Sequence, residues 1–133
     1  MTELPVPVFD DLWGPFWKEL VDGRLTMPLC PNGHRFFVPE PVCPTCLSAT
    51  WSWSPAAGRG SLYSWSVVHR APVADVATPY VIAVVDLDEG WTLMTHLVDV
   101  APGRPLLAGD RVALRITHRG GWALPTFALE EDQ

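Results

Sequence analysis

Cys30-Pro-Asn-Gly-His34-Arg-Phe-Phe-Val-Pro-Glu-Pro-Val-Cys43-Pro-Thr-Cys46 holds all three cysteines of the chain and one of its four histidines. The second pair, Cys43-Pro-Thr-Cys46, has the two-residue spacing that points both sulfurs at one tetrahedral centre. The first half departs from that pattern. A zinc knuckle reads Cys-x-x-Cys, whereas Gly33 stands at the second cysteine position and His34 follows it. Four ligands remain in order, Cys30, His34, Cys43 and Cys46, and three cysteines with one histidine form an accepted structural zinc set. A Cys-x-x-x-His spacing reaches one metal if the knuckle opens slightly, and Gly33 makes that bend inexpensive. The alternative is a metal-free ribbon with His34 turned to water. A zinc held by all four has no open position for water, so its role is structural rather than hydrolytic. The rival use of Cys30 or Cys46 is as a nucleophile, which needs a nearby base and a lowered pKa. His34 is the available base, but clustered cysteines at this spacing favour a metal.

Outward from this stretch, Leu25, Met27 and Leu29 alternate with Thr26 and Pro28, a short strand leading into the first knuckle. Trp51 and Trp53 alternate with serines, a strand leading out of the second. Two knuckles on short strands describe a zinc-ribbon module over residues 25–54. So small a unit buries too little surface to fold alone, and a metal supplies the missing stability. Upstream, residues 1–24 form an arm and a helix. Pro5 and Pro7 mark residues 1–8 as extended. Phe9, Leu12, Trp13, Phe16, Trp17, Leu20 and Val21 then recur at helical spacing. Asp10 and Asp11 suit a helix start and Gly23 a helix end, while Pro15 is either a first-turn residue or a break. One reading buries this aromatic helix on its own chain. The other makes the Trp13/Trp17 face a docking surface, as large apolar patches tend to be.

Downstream, Pro55–Gly60 is a joint, and residues 55–133 read as a barrel. Ser61–His69 is rich in aromatic and β-branched residues, and Pro79–Leu87 is a nearly continuous apolar strand. Asp88-Glu-Gly turns the chain into a return strand from Trp91 to Val98. Arg111–His118 and Trp122–Leu129 supply two more strands, separated by Gly120-Gly121, and Glu130–Gln133 is a frayed tail. Five strands without a strong helix suit a barrel of the OB type. The fold expected is therefore mainly β: an N-terminal helix, a zinc-ribbon-like module and a five-stranded OB-fold barrel.

This order of features is familiar. Phe16-Trp17, Cys43-Pro-Thr-Cys46, the Gly58-to-His69 strand, the Pro79-to-Gly90 hairpin, the Gly109-Asp-Arg-Val turn and Leu124-Pro-Thr-Phe together resemble the acyl-CoA-associated zinc-ribbon/OB-fold family, over residues 13–128. The chain departs from the commonest ribbon of that family at Gly33 and at Val38-Pro-Glu, where Pro-Pro-Arg is usual. The resemblance implies a non-catalytic accessory subunit. Members accompany thiolase-fold enzymes, including lipid-transfer-protein-type aldolases and thiolases of steroid side-chain degradation. Others are fused to MaoC-type hydratases, and they are thought to hold partners together and shield the CoA thioester.

Charge and motif content narrow the alternatives. A net charge of −6 disfavours non-specific nucleic-acid binding, which rests on neutralising phosphates. The second functional reading is nonetheless an OB-type module for single strands, with Tyr63, Trp65, Trp91 and Trp122 as stacking platforms. Arg59 and Arg70 are candidates to meet a CoA phosphate near the barrel mouth. There is no apolar run of roughly 18 residues and no basic-then-apolar leader, so the expectation is a cytoplasmic chain that neither spans nor binds a membrane. No nucleophile elbow, P-loop or dinucleotide fingerprint is present. His69, His96 and His118 read as packed or surface residues, and Asp86, Asp88 and Glu89 as turn residues, so no catalytic residue is assigned.

Overall fold

The computed structural model describes residues 9–72 and 76–130. The expected arm over residues 1–8, and the tail beyond residue 130, lie outside the described residues. Glu130 itself is not frayed: its N–H meets the Arg111 carbonyl at 2.8 Å, and its carboxylate meets Arg59 at 2.5 Å.

The helix is shorter than the apolar spacing suggests. Helix α1 spans Gly14–Val21 and is preceded by a turn in which Asp10 accepts the Trp13 N–H at 2.7 Å. Pro15 sits in the first helical turn, where no intrahelical donor is needed. Phe16 and Leu20, one turn apart, are both buried. The C-terminus is closed by Gly23 N–H to Leu20 C=O (3.0 Å) and Arg24 N–H to Glu19 C=O (2.9 Å).

Strand β1 (Leu25–Leu29) pairs antiparallel with β2 (Ser52–Ala56), from Leu25 opposite Ala56 to Leu29 opposite Ser52. The two short strands expected on either side of the knuckles are thus both present, and the knuckles themselves lie outside the ladder. Only an isolated bridge, Leu29 to Arg35, extends the ladder past the first knuckle. The second knuckle is held by turn bonds, Leu47 N–H to Cys43 C=O at 2.8 Å and Cys43 N–H to Ser48 C=O at 2.9 Å. Pro39, Pro41 and Pro44 remove the donors that a ladder would use.

The barrel is built from β3 (Arg59–Val68), β4 (Tyr80–Leu87), β5 (Thr92–Leu97) and β6 (Arg111–Leu114), followed by a hairpin of β7 (Thr117–Arg119) with β8 (Trp122–Leu124), and closed by β9 (Phe127–Leu129). Its closed order is β3-β4-β5-β9-β6. All of its pairings are antiparallel except β5 with β9, which meet in parallel at Leu97 and Phe127. Two expected strands therefore break. Arg111–His118 divides into β6 and β7, and Trp122–Leu129 into β8 and β9. Between β8 and β9 the cause is local: Pro125 has no N–H, and the Thr126 N–H turns back to Leu124 C=O at 3.0 Å. The Thr126 hydroxyl donates to the Arg115 carbonyl, and Arg115 N–H returns to Thr126 C=O at 2.7 Å. This crossing seals the barrel and lets the β7–β8 hairpin project from it.

One contiguous apolar core joins all the parts. Leu62, Val85, Leu93, Leu97, Val112 and Phe127 fill the barrel, and Phe16, Leu20, Leu25 and Met27 from the helix and β1 continue it. Helix α1 packs on β1 and β8. Trp91 is buried between ribbon and barrel, donating its indole N–H to the Pro28 carbonyl at 2.7 Å, with the Arg35 guanidinium 5.4 Å from its ring centre.

Candidate metal centre

The first knuckle is a tight turn. Gly33 N–H meets Cys30 C=O at 2.9 Å and Cys30 N–H meets His34 C=O at 2.9 Å. Gly33 sits at φ +87°, a conformation L side chains rarely adopt, and this brings His34 round to the sulfurs. The second knuckle turns in the same way at Leu47, held at φ +65° without being glycine.

These two turns bring Cys30, His34, Cys43 and Cys46 together, with one ligand atom from each lying within 4.8 Å of the others. Cys43 Sγ is 3.7 Å from His34 Nδ1, and Cys30 Sγ is 3.2 Å from Cys46 Sγ. A tetrahedral zinc sets sulfur–nitrogen edges of about 3.6 Å and sulfur–sulfur edges of about 3.8 Å. The donor set and its spacing are therefore compatible with a structural zinc. Cys30 and Cys43 are buried while Cys46 is partly exposed. Hydrogen bonds from Asn32, Cys30 and the Ser48 amide hold the Cys46 thiol down at about 6, whereas burial pushes the Cys30 thiol up. Asn32 was not singled out from the sequence. It donates its main-chain N–H to Cys30 Sγ and its side-chain amide to Cys46 Sγ, each at 3.4 Å. The only sequence signal for it is an amide-bearing residue two positions after a ligand.

The remaining candidates occupy structural positions. Asp86 accepts the Thr92 hydroxyl at 2.7 Å, Asp88 forms a two-pronged pair with Arg111 at 2.9 and 2.6 Å, and Glu89 accepts the Ala57 N–H at 2.8 Å. Arg59 is the first residue of β3, and Arg70 lies two residues beyond its last. Arg59 lines a polar groove of about 720 Å³ with Arg104, Arg111 and Arg115. Each of these four is paired with a carboxylate: Glu130, Asp110, Asp88 and Asp99 respectively. Of the four aromatic residues considered as stacking platforms, Trp91 is sealed in the core and Trp122 is half-buried, which leaves Tyr63 and Trp65 exposed.

Trp13 and Trp17 stack on one another with ring centres 6.0 Å apart, and Trp13 meets Phe37 edge-on at 5.6 Å. Both indoles are half-buried. They line an apolar cleft of about 350 Å³ together with Met94, His96, Leu124 and Pro125. No helix among the described residues is long and apolar enough to cross a membrane.

Comparison with known proteins is consistent along the chain. Residues 17–52 match the family described as the ChsH2 rubredoxin-like zinc ribbon domain, and residues 53–117 the one described as the ChsH2 C-terminal OB-fold domain. A solved structure, an Ltp2-ChsH2(DUF35) aldolase, superposes with a TM-score of 0.83 at 32% identity, over 93% of this chain and 98% of that one. A probable enoyl-CoA hydratase alpha subunit from Thermomonospora curvata is 46% identical over 67% of this chain and 28% of its own length. A DUF35 domain-containing scaffold protein from Pyrococcus furiosus is 33% identical over 65% of each chain. The 3-oxo-4,17-pregnadiene-20-carboxyl-CoA hydratase alpha subunit of Mycobacterium tuberculosis is 27% identical over 89% of this chain and 37% of its own length. The chain thus spans between about a quarter and two thirds of these three relatives.

Proposed function

The chain belongs to the ChsH2 family of zinc-ribbon and OB-fold proteins, and from that membership we propose that it is a non-catalytic accessory subunit of a thiolase-fold aldolase or thiolase acting on acyl-CoA. The observation that carries this reading is the likeness to a chain of the solved Ltp2-ChsH2(DUF35) aldolase, which extends over 98% of that chain. The scaffold name of the archaeal relative supports a non-catalytic role. So does the structural use of Asp86, Asp88 and Glu89. Steroid side-chain degradation is the preferred setting, supported by the pregnadiene-carboxyl-CoA relative. A MaoC-type hydratase is the second class of partner, favoured by the hydratase names of two relatives. In this reading the partners work in the cytoplasm. The helix and ribbon (residues 1–24 and 25–54) dock the enzyme, and the barrel (55–133) lies beside its active-site entrance and shields the CoA thioester.

Co-expression tests it. A lipid-transfer-protein-type aldolase made with this chain is expected to co-elute with it and to cleave its acyl-CoA substrate, and to lose solubility or activity without it. An aldolase fully active alone, beside a chain that stays monomeric and binds neither class of enzyme, overturns the reading.

Within that subunit, Cys30, His34, Cys43 and Cys46 are the ligands of one structural zinc. Elemental analysis of native protein is expected to give one zinc per chain, lost in Cys43→Ser together with thermal stability. Native protein without zinc, and a Cys43→Ser variant equally stable, overturns the assignment.

A further inference from the structure

Zinc bound by three thiolates and a neutral imidazole carries a net charge of −1, concentrated on sulfur. Two of these sulfurs, on Cys30 and Cys46, lie only 3.2 Å apart and come from different knuckles. As thiolates they repel one another, and a donor that reaches both offsets the repulsion. Asn32 is such a donor. Its main-chain N–H faces Cys30 Sγ and its side-chain amide crosses to Cys46 Sγ, both at 3.4 Å. The main-chain bond is available to any residue but proline at this place in the turn. The side-chain bond is not, because it needs an N–H on a short, planar side chain. Glycine and alanine lack it, and aspartate presents only acceptors.

We propose that Asn32 is a positioning residue of the metal centre, a clamp that ties the first knuckle to the second through Cys46 and spreads the excess charge of the thiolates. This rests on the assignment of the four ligands to zinc. A competing explanation for asparagine here is the turn itself, since Asn-Gly is a strong turn pair. The two explanations separate on Asn32→Asp. Aspartate forms such turns as well as asparagine but places a negative acceptor beside the sulfur.

The test compares native protein, Asn32→Ala and Asn32→Asp, each loaded with zinc and challenged with a chromogenic chelator. Outer-shell hydrogen-bond partners typically change metal affinity about 10–100-fold. Asn32→Ala is expected to weaken zinc retention within that range, and Asn32→Asp by more. Loading with cobalt(II) supplies a readout that turn formation does not move. Losing the donor raises the energy of the sulfur lone pairs, so the thiolate-to-cobalt charge-transfer band moves to longer wavelength in both variants. Zinc retention and cobalt spectra matching the native protein in Asn32→Asp overturn the clamp while leaving the ligand assignment intact. A native chain that binds no stoichiometric zinc overturns the assignment and the clamp with it. If Asn32→Asp fails to fold with metal while Asn32→Ala folds, the ordering expected of the clamp is upheld. The reverse outcome overturns it.

Discussion

Leu47 is held at φ +65° directly after Cys46, with its side chain 71% exposed. The left-handed backbone at Leu47 turns the chain so that the next carbonyl, that of Ser48, accepts the Cys43 N–H at 2.9 Å, and the leucine gains little burial in return. A left-handed L-residue costs roughly 1–2 kcal/mol. Glycine removes that cost but gives back roughly 0.5–1 kcal/mol in chain entropy. Leu47→Gly is therefore expected to stabilise the zinc-loaded protein by about 0.5–1 kcal/mol, measured as a higher urea midpoint with an unchanged slope. At this scale the sequence was legible where chemistry is carried by residue type. Four sulfur and imidazole donors in order announced the cluster, and Gly33 announced the bend that admits His34. Asn32 and Trp91 were not legible. Their roles depend on Cys46 and Pro28, partners 14 and 63 residues away, and no local pattern encodes such a pairing.

Elements carry a different constraint. Strand β3 crosses β4 so closely at Gly60 that an added Cβ would sit 2.2 Å from the Asp86 carbonyl oxygen. Backbone blocks this approach, and a side-chain shift cannot relieve it. Gly60→Ala is expected to destabilise by about 1–3 kcal/mol or more, read from thermal or urea unfolding of the barrel. In β5, His96 packs on Tyr80 with ring centres 5.0 Å apart. Burial, with the Arg119 charge adding, holds its pKa below the ordinary histidine range. The unfolded chain then takes up the proton more readily than the folded one. Stability is thus fully present above the ordinary histidine value of about 6.5 and declines as pH falls toward the lower folded value. The melting temperature of the native protein is expected to drop on going from pH 7.5 to 5.5, and less steeply in His96→Gln; parallel slopes would remove His96 from the account. Alternation located the barrel strands, because period-two burial is a property of the segment itself. It did not locate where they break. Val112, Leu114 and Ile116 keep their alternation across the gap between β6 and β7, and the break is set by the Arg115–Thr126 crossing, a contact between strands.

At the scale of the whole molecule, the core does not stop at the ribbon. Met27 and Leu25 belong to the same apolar cluster as Leu62 and Phe127, and Trp91 fastens the β4–β5 turn beneath Pro28. Loss of zinc is therefore expected to be felt by the barrel. Calorimetry of metal-free protein should show one transition, lowered by about 10 °C or more, rather than an unchanged barrel melting after an early ribbon event. Two separate transitions would mean that the units are thermodynamically independent. The closing of the barrel also fixes an order of events during synthesis. Strand β9 lies between β5 and β6 and is the last of the barrel strands to leave the ribosome. Until Phe127–Leu129 emerges, the nascent chain carries two unzipped strand edges beside a ribbon that is already able to capture its metal. The knuckles can thus close while the barrel is still open and while helix α1 still waits for β8, and the interval before β8 and β9 arrive is when this chain is most in need of a chaperone or a waiting partner.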